Sequence, residues 1–384
     1  MASMTWQRRV LAGAAGLLVA LGLGEGLLRL FAPTPRPRGE LYFRTSAGER
    51  VDMVGAWQEA ARRGLVEILP PAQTPRPRAR FAPGAHFFMC YSDAERLDAD
   101  WLDGDGCVEV RINRYGLRER EDLEPQKPAG QRRVVCIGDS FTFGWGVPIE
   151  QCWVRLLEDD LRTDLGDVRT VNCGASGALC VDEYEWGLRT RFGRFEPDVV
   201  VVSIYLNDLI PSDGLCILQP QPRPSGLRLW DYGRAVFGRD PLDLDPSIDW
   251  VDVALQLPEA IGTAQGHYGP DKPFAAMWSQ GAPQRALVAM RSWCQQHNCI
   301  LLVTLWPFLQ GLGSAAEYPF HALHARVQEY CHAQGIPLLD LLPVLDVEPA
   351  DRLWVTPADM HANPRAQRLV TPAINAFVRA HWPR

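Results

Sequence analysis

The stretch Asp198-Val199-Val200-Val201-Val202-Ser203-Ile204-Tyr205 constrains the fold of this chain more than any other. Branching at Cβ favours an extended backbone, because branched side chains pack well on a pleated surface. Along a strand, successive side chains point to opposite faces. A run that is apolar on both faces therefore needs cover on both, as parallel strands have when helices flank them. Shorter apolar runs recur at 133–137, 169–172, 300–305 and 337–341. Helical spacing fills the segments 150–165, 182–192, 283–297, 320–334 and 364–381. Strand and helix in alternation predict a parallel sheet with helices on both faces and right-handed crossovers.

One long interruption breaks the alternation. Residues 209–282 carry no strand–helix pattern, and an insert of that length is expected to be a lid, a binding loop or a local subdomain. Its aromatic residues Trp230, Tyr232, Trp250, Tyr268 and Trp278 either shape a substrate cleft or form the insert's own core. Upstream, Pro33-Thr34-Pro35-Arg36-Pro37-Arg38 reads as a stiff linker, and Thr74-Pro75-Arg76-Pro77-Arg78 nearly repeats it. Spacing predicts a helix over 51–69. Residues 81–118 alternate and carry Gly and Asp turns, which predicts a small β-rich region. The expected organisation is an anchor over 1–32, a linker and β-rich region over 33–131, and the main domain over 132–384.

The anchor follows from an apolar stretch after Arg8-Arg9. Residues 10–31 are broken only by Glu25 and Arg29, and the length suffices to cross a bilayer, which takes about 20 residues. Glu25 and Arg29 lie four apart, so they share a helix face and can pair. A cleaved signal peptide is the rival; Leu28-Arg29-Leu30-Phe31 makes a poor cleavage site for one. Arg36, Arg38, Arg44 and Arg50 on the far flank mean that positive-inside counting does not send the body outward. The short basic start still resembles an export signal, which predicts a body on the periplasmic or extracellular side. The net charge of −7 and scattered basic residues give no footprint for nucleic acid. Cys90 with Cys107, and Cys294 with Cys299, are candidate disulfide partners in an exported protein. Cys136, Cys173 and Cys331 read as buried small hydrophobes. No Cys/His spacing resembles a zinc site.

Chemistry concentrates where strands end. The first main-domain strand stops at Gly138-Asp139-Ser140, and in open α/β sheets ligands bind beyond the carboxyl ends of strands. Asn172-Cys173-Gly174-Ala175-Ser176-Gly177 follows the second strand, Leu206-Asn207-Asp208 the third, and Asp359-Met360-His361-Ala362-Asn363-Pro364 precedes the last helix. A serine hydroxyl needs an adjacent base to become a nucleophile, and histidine is the usual one. A carboxylate fixes the histidine tautomer. Backbone N–H groups and an asparagine amide can hold the oxyanion that forms. Singly, each residue has a structural reading: a turn at Gly138-Asp139-Ser140, a turn glycine at Gly177, and caps at Asn207 and Asn363. Their joint order, one after each element, points to one site. Asp139 is expected to hold the serine turn by hydrogen bonds.

These residues resemble the SGNH (GDSL-type) hydrolase superfamily. Gly138-Asp139-Ser140 matches its first block, Asn172 to Gly177 its second, Asn207-Asp208 its third, and Asp359 with His361 its fifth. The lead-in Ile112-Asn113-Arg114-Tyr115-Gly116-Leu117-Arg118, followed by Gly138 to Gly144, is similar to a membrane-anchored bacterial branch. The resemblance implies a flavodoxin-like three-layer α/β/α sandwich on a five-stranded parallel sheet. It implies hydrolysis of acyl esters, acetyl or other short-chain esters among them, on small molecules or carbohydrates and without metal or cofactor. It assigns Ser140 as nucleophile, His361 as base, Asp359 as acid, and Ser140, Gly177 and Asn207 to the oxyanion hole. Two positions depart from the family pattern. Tyr205 stands where the third block carries glycine, and Asp359 is two residues before His361 instead of three. Asp351, or a Ser–His pair assisted by a backbone carbonyl, are the alternatives to Asp359. An O-acyltransferase acting on envelope polysaccharide would use the same residues, and a non-catalytic binding module would leave Ser140 and His361 out of hydrogen-bond reach.

Overall fold

A computed structural model describes residues 2–31, 39, 41–51, 57–69, 78–175, 180–209, 227–237, 278, 281–309, 312–313, 318 and 320–383. The main sheet has five parallel strands: β7 (Arg132–Gly138), β8 (Val168–Gly174), β9 (Val199–Tyr205), β10 (Ile300–Trp306) and β11 (Leu338–Asp340). Their spatial order is β11-β10-β9-β7-β8. The order reverses between β7 and β9, and that switch point opens a crevice at the carboxyl ends of both strands. All seven residues of β9 are buried, as its apolar run requires. Two helix pairs cover the sheet. Trp153–Leu165 packs with Pro364–Ala380, and Val181–Gly187 packs with Ala282–Gln296. The expected three-layer α/β sandwich is the observed one.

The amino-terminal region folds as small antiparallel sheets. Strands β1 (Leu41–Thr45), β2 (Arg50–Val51), β5 (His86–Tyr91) and β6 (Cys107–Arg111) form one sheet in the order β2-β1-β5-β6. Strands β3 (Val66–Leu69) and β4 (Arg78–Phe81) form a second. The helical spacing over 51–69 yields a helix only at Trp57–Arg62; the branched run Val66-Glu67-Ile68 pairs with β4 instead, cross-strand pairing outweighing local spacing. Cys90 and Cys107 face each other across β5 and β6 and are joined by a disulfide. Cys294 and Cys299 are free thiols, and Cys136, Cys173 and Cys331 are buried. Phe43, Phe81 and Phe87 form the small sheets' core together with Phe143, which belongs to the main domain. Phe81 stacks on Phe143 with ring centroids 5.1 Å apart. The amino-terminal region is thus packed against the segment that follows Ser140.

Among the described residues one helix, Ala2–Phe31, contains a stretch long and apolar enough to cross a membrane, Arg8–Phe31, with mean hydropathy 1.8. Most of its leucines stand exposed, Leu18 at 70% and Leu30 at 77%. Arg29 donates to Glu25 at 2.7 Å, the expected pairing. The other oxygen contacts of Glu25 reach the insert: its carboxylate accepts from the N–H groups of Arg228 (2.9 Å) and Leu229 (2.7 Å), capping the helix Arg228–Phe237. Within that insert Trp230 is exposed, Trp278 is buried against Tyr330, and Trp250 and Tyr268 lie outside the described residues.

Candidate active site

Strand β7 delivers Ser140 to the switch point. Asp139 caps the one-turn helix Ser140–Phe143, its Oδ1 accepting from the Phe141 N–H at 2.9 Å. This is the local role expected of Asp139. Burial pushes its carboxyl up to about 6, against the opposing pull of the Phe141 N–H and the His361 charge. The turn lies flush on the neighbouring strand: a Cβ on Gly174 would sit 2.1 Å from the Phe143 nitrogen. Glycine at 174 is what lets β8 and the serine turn touch.

The histidine arrives from the other end of the chain. Strands β12 (Trp354–Thr356) and β13 (Asp359–Ala362) make a two-stranded hairpin ahead of the last helix. His361 and Asp359 both lie on β13. Residues two apart on a strand share a face, so the short spacing that departs from the family pattern still sets carboxylate and imidazole side by side. The Asp359 Oδ1 meets His361 Nδ1 at 2.5 Å, and His361 Nε2 meets Ser140 Oγ at 2.8 Å. Asp359 is 2% exposed. Burial alone would raise its carboxyl; the His361 charge and the hydrogen bonds from His361 and Tyr91 outweigh it and hold it below the usual value. Asp351 sits in the turn Ala350–Arg352 with an exposed side chain. Asn363 caps the last helix, accepting from the Arg365 and Ala366 N–H groups at 3.0 Å each.

The other blocks converge unevenly. The Ala175 N–H donates to the Gly138 carbonyl at 3.0 Å, which brings the second block beside the first. Gly177 lies outside the described residues. Asn207 is on the turn Leu206–Leu209 at the end of β9, and its side chain also lies outside the described residues. Asp208 turns inward, accepting from the Tyr205 N–H and the Tyr184 hydroxyl at 2.8 Å each. Burial, then the nearby Asp139 charge, push its carboxyl well above the usual range. Among the described residues no His/Cys/Asp/Glu group could hold a metal ion.

Three further residues meet at this site; Tyr91 and Trp145 carry no motif that sequence reasoning could use, and Arg118 closes the lead-in quoted above. Tyr91, at the end of β5, donates its hydroxyl to Asp359 Oδ2 at 2.9 Å. Trp145 donates its indole N–H to the same oxygen at 3.1 Å and packs beside the His361 ring, centroids 5.4 Å apart. Arg118 is 1% exposed and donates to the carbonyls of Phe143 (3.1 Å), Gly144 and Val147 (2.6 Å), clamping the loop after the serine turn. Burial pushes its guanidinium down to about 10, so it remains a cation at neutral pH. The sequence signal for Arg118 was its place at the end of the lead-in, which carries a second charge at Arg114. The next residue, Glu119, binds the Asn172 N–H at 2.6 Å. The last residue of the lead-in and the one after it therefore hold the first and second blocks.

A sheet of this order, with serine at its switch point and an imidazole and carboxylate in line behind it, has the form of a serine hydrolase of the α/β class. The sequence narrows this further: the chain belongs to the GDSL-like lipase/acylhydrolase family, whose model matches residues 136–369, and is an ester-bond hydrolase of that kind. Among solved structures it is similar to a lipase/acylhydrolase from Enterococcus faecalis, at 17% identity, covering 66% of this chain and 98% of that one with a TM-score of 0.38. It is also similar to the psychrotrophic esterase EstA from Pseudoalteromonas sp., at 12% identity, covering 65% and 98% with a TM-score of 0.38. No curated protein matches the chain.

Proposed function

We propose that this chain is a serine esterase that cleaves short acyl esters, acetyl esters foremost, of small-molecule or carbohydrate substrates at a membrane surface. The observation that carries the reading is the line from Asp359 through His361 to Ser140, at 2.5 and 2.8 Å. A non-catalytic module would have no use for that contact. Ser140 Oγ attacks the ester carbonyl while His361 Nε2 takes its proton. His361 then gives the proton to the leaving alcohol, and Asp359 holds the ring in the tautomer that allows both transfers. The Ser140 N–H, the Gly177 N–H and the Asn207 amide bind the oxyanion. Water attacks the acyl-enzyme by the same base and restores Ser140.

Tyr205 stands at the carboxyl end of β9, stacked on Phe141 with centroids 4.2 Å apart, and adds bulk where the family pattern carries glycine. The exposed apolar helix Arg8–Phe31 supports tethering in a bilayer, with the enzyme body on the periplasmic or extracellular side, where the Cys90–Cys107 disulfide is stable. Hydrolysis of p-nitrophenyl acetate by wild type and Ser140→Ala tests the reading. Loss of nearly all turnover in the variant is expected. Equal turnover in both would end the serine-nucleophile assignment.

A further inference from the structure

Asp359 is surrounded by donors from three separate parts of the chain. Its Oδ1 accepts from the His361 ring (2.5 Å) and from the His361 N–H (3.3 Å). Its Oδ2 accepts from the Tyr91 hydroxyl (2.9 Å) and the Trp145 indole (3.1 Å). Tyr91 is 2% exposed and belongs to the amino-terminal sheet, outside the residues 136–369 that match the family. Its position is fixed on several sides. It pairs with Leu41 across β1, and it adjoins Cys90, which is bonded to Cys107. A Cβ at Gly146 would sit 2.3 Å from its hydroxyl oxygen, so the loop carrying Trp145 closes over that oxygen only because residue 146 is glycine. Trp101, also from the amino-terminal region, donates to the Gly146 carbonyl at 3.1 Å and holds the loop there.

We propose that Tyr91, together with Trp145, is a positioning residue for the relay: the amino-terminal sheet supplies the hydroxyl that fixes the Asp359 carboxylate so that it can orient His361. The proposal rests on the reading that Ser140 is the nucleophile and His361 its base. A carboxylate held only through Oδ1 can still rotate about its Cβ–Cγ bond, and two donors on Oδ2 stop that rotation. Tyr91 is suited to the task over the working pH range. Burial, and then the Asp359 charge, push its phenol well above the ordinary value, so it stays a donor. The charged groups that act on this cluster are His361 on β13, Arg118, which acts on Tyr91, and Asp139, which interacts with His361. Asp359 thereby becomes a junction between the family domain and a sheet the family match does not include.

The test uses the full chain in detergent, with Tyr91→Phe and Trp145→Phe, which keep the rings and remove the donors. Steady-state hydrolysis of p-nitrophenyl acetate is measured from pH 5 to 9 beside Ser140→Ala, with thermal unfolding of each variant. The expected loss in kcat for Tyr91→Phe is about tenfold, the size of one charge-assisted hydrogen bond felt in the transition state, with KM within about twofold. The direction of the pH effect follows from charge. Without the hydroxyl, Asp359 is more basic, it holds the imidazolium more strongly, and the acid limb of kcat/KM moves to higher pH. Trp145→Phe shifts the limb in the same direction, which keeps the proposal testable if one variant fails to fold. An inactive Ser140→Ala beside variants with unchanged kcat and pH profile would overturn the proposal and leave the esterase reading intact. A fall in kcat that only tracks a lower melting temperature, with the limb unmoved, would overturn it as well. Full activity in Ser140→Ala would remove the esterase reading and this proposal with it.

Discussion

Replacing Asp139 by asparagine tests whether this carboxylate is a cost that the fold bears at neutral pH. Asp139 is 4% exposed, and its carboxyl is pushed up to about 6 from an ordinary 3.8, burial being the largest cause. The native state therefore binds the proton more tightly than the unfolded chain does. The stability contributed by protonated Asp139 is fully present below pH 3.8 and is lost as pH rises through about 6. At about 1.4 kcal/mol per pH unit, the gap amounts to about 3 kcal/mol. Asp139→Asn keeps an oxygen to accept from the Phe141 N–H and has no charge to desolvate. Urea midpoints of wild type and D139N, followed by tryptophan fluorescence from pH 4 to 8, give the difference in stability. The variant should gain on wild type as pH rises from about 4 to about 6, by up to about 3 kcal/mol, and the difference should level off above that. A difference that is flat across the window, or that falls with pH, would refute the account.

Asp359→Asn should keep KM for p-nitrophenyl acetate within about threefold and lower kcat by about 10³–10⁴, because an amide can present its N–H to His361 and fix the wrong tautomer. Removing the Cys90–Cys107 bridge as C90A/C107A should lower unfolding stability by about 3 kcal/mol, the chain-entropy value for a loop of this size. Activity should fall in the same variant at temperatures below its unfolding transition, since Tyr91 adjoins Cys90; a stable decline with full activity would separate the bridge from the site.

The main sheet was readable because its signal is local. The run Val199-Val200-Val201-Val202 can lie only between two covering layers, and Gly138-Asp139-Ser140 marks the end of a strand by composition alone. The place of His361 was readable from its position before the last helix. The acid was harder to read, because its spacing makes sense only once 359–362 is seen to be a strand, and a four-residue strand carries little propensity signal. Tyr91 was out of reach for another reason. Its contact with Asp359 spans 268 positions, and nothing in the residues around Tyr91 distinguishes it from a core tyrosine. The helical spacing at 66–69 misled because pairing with β4 is a tertiary choice that overrides a short local pattern.

The contact between Ser140 and His361 spans 221 positions. At ribosomal rates of about 5–20 residues per second, the serine exists for roughly 10–45 s before the histidine proposed as its base has been made. During that interval Ser140 is an ordinary alcohol. The hairpin that carries His361 is made after Ser140, so on the proposed reading its docking onto the serine turn is the step that completes the site.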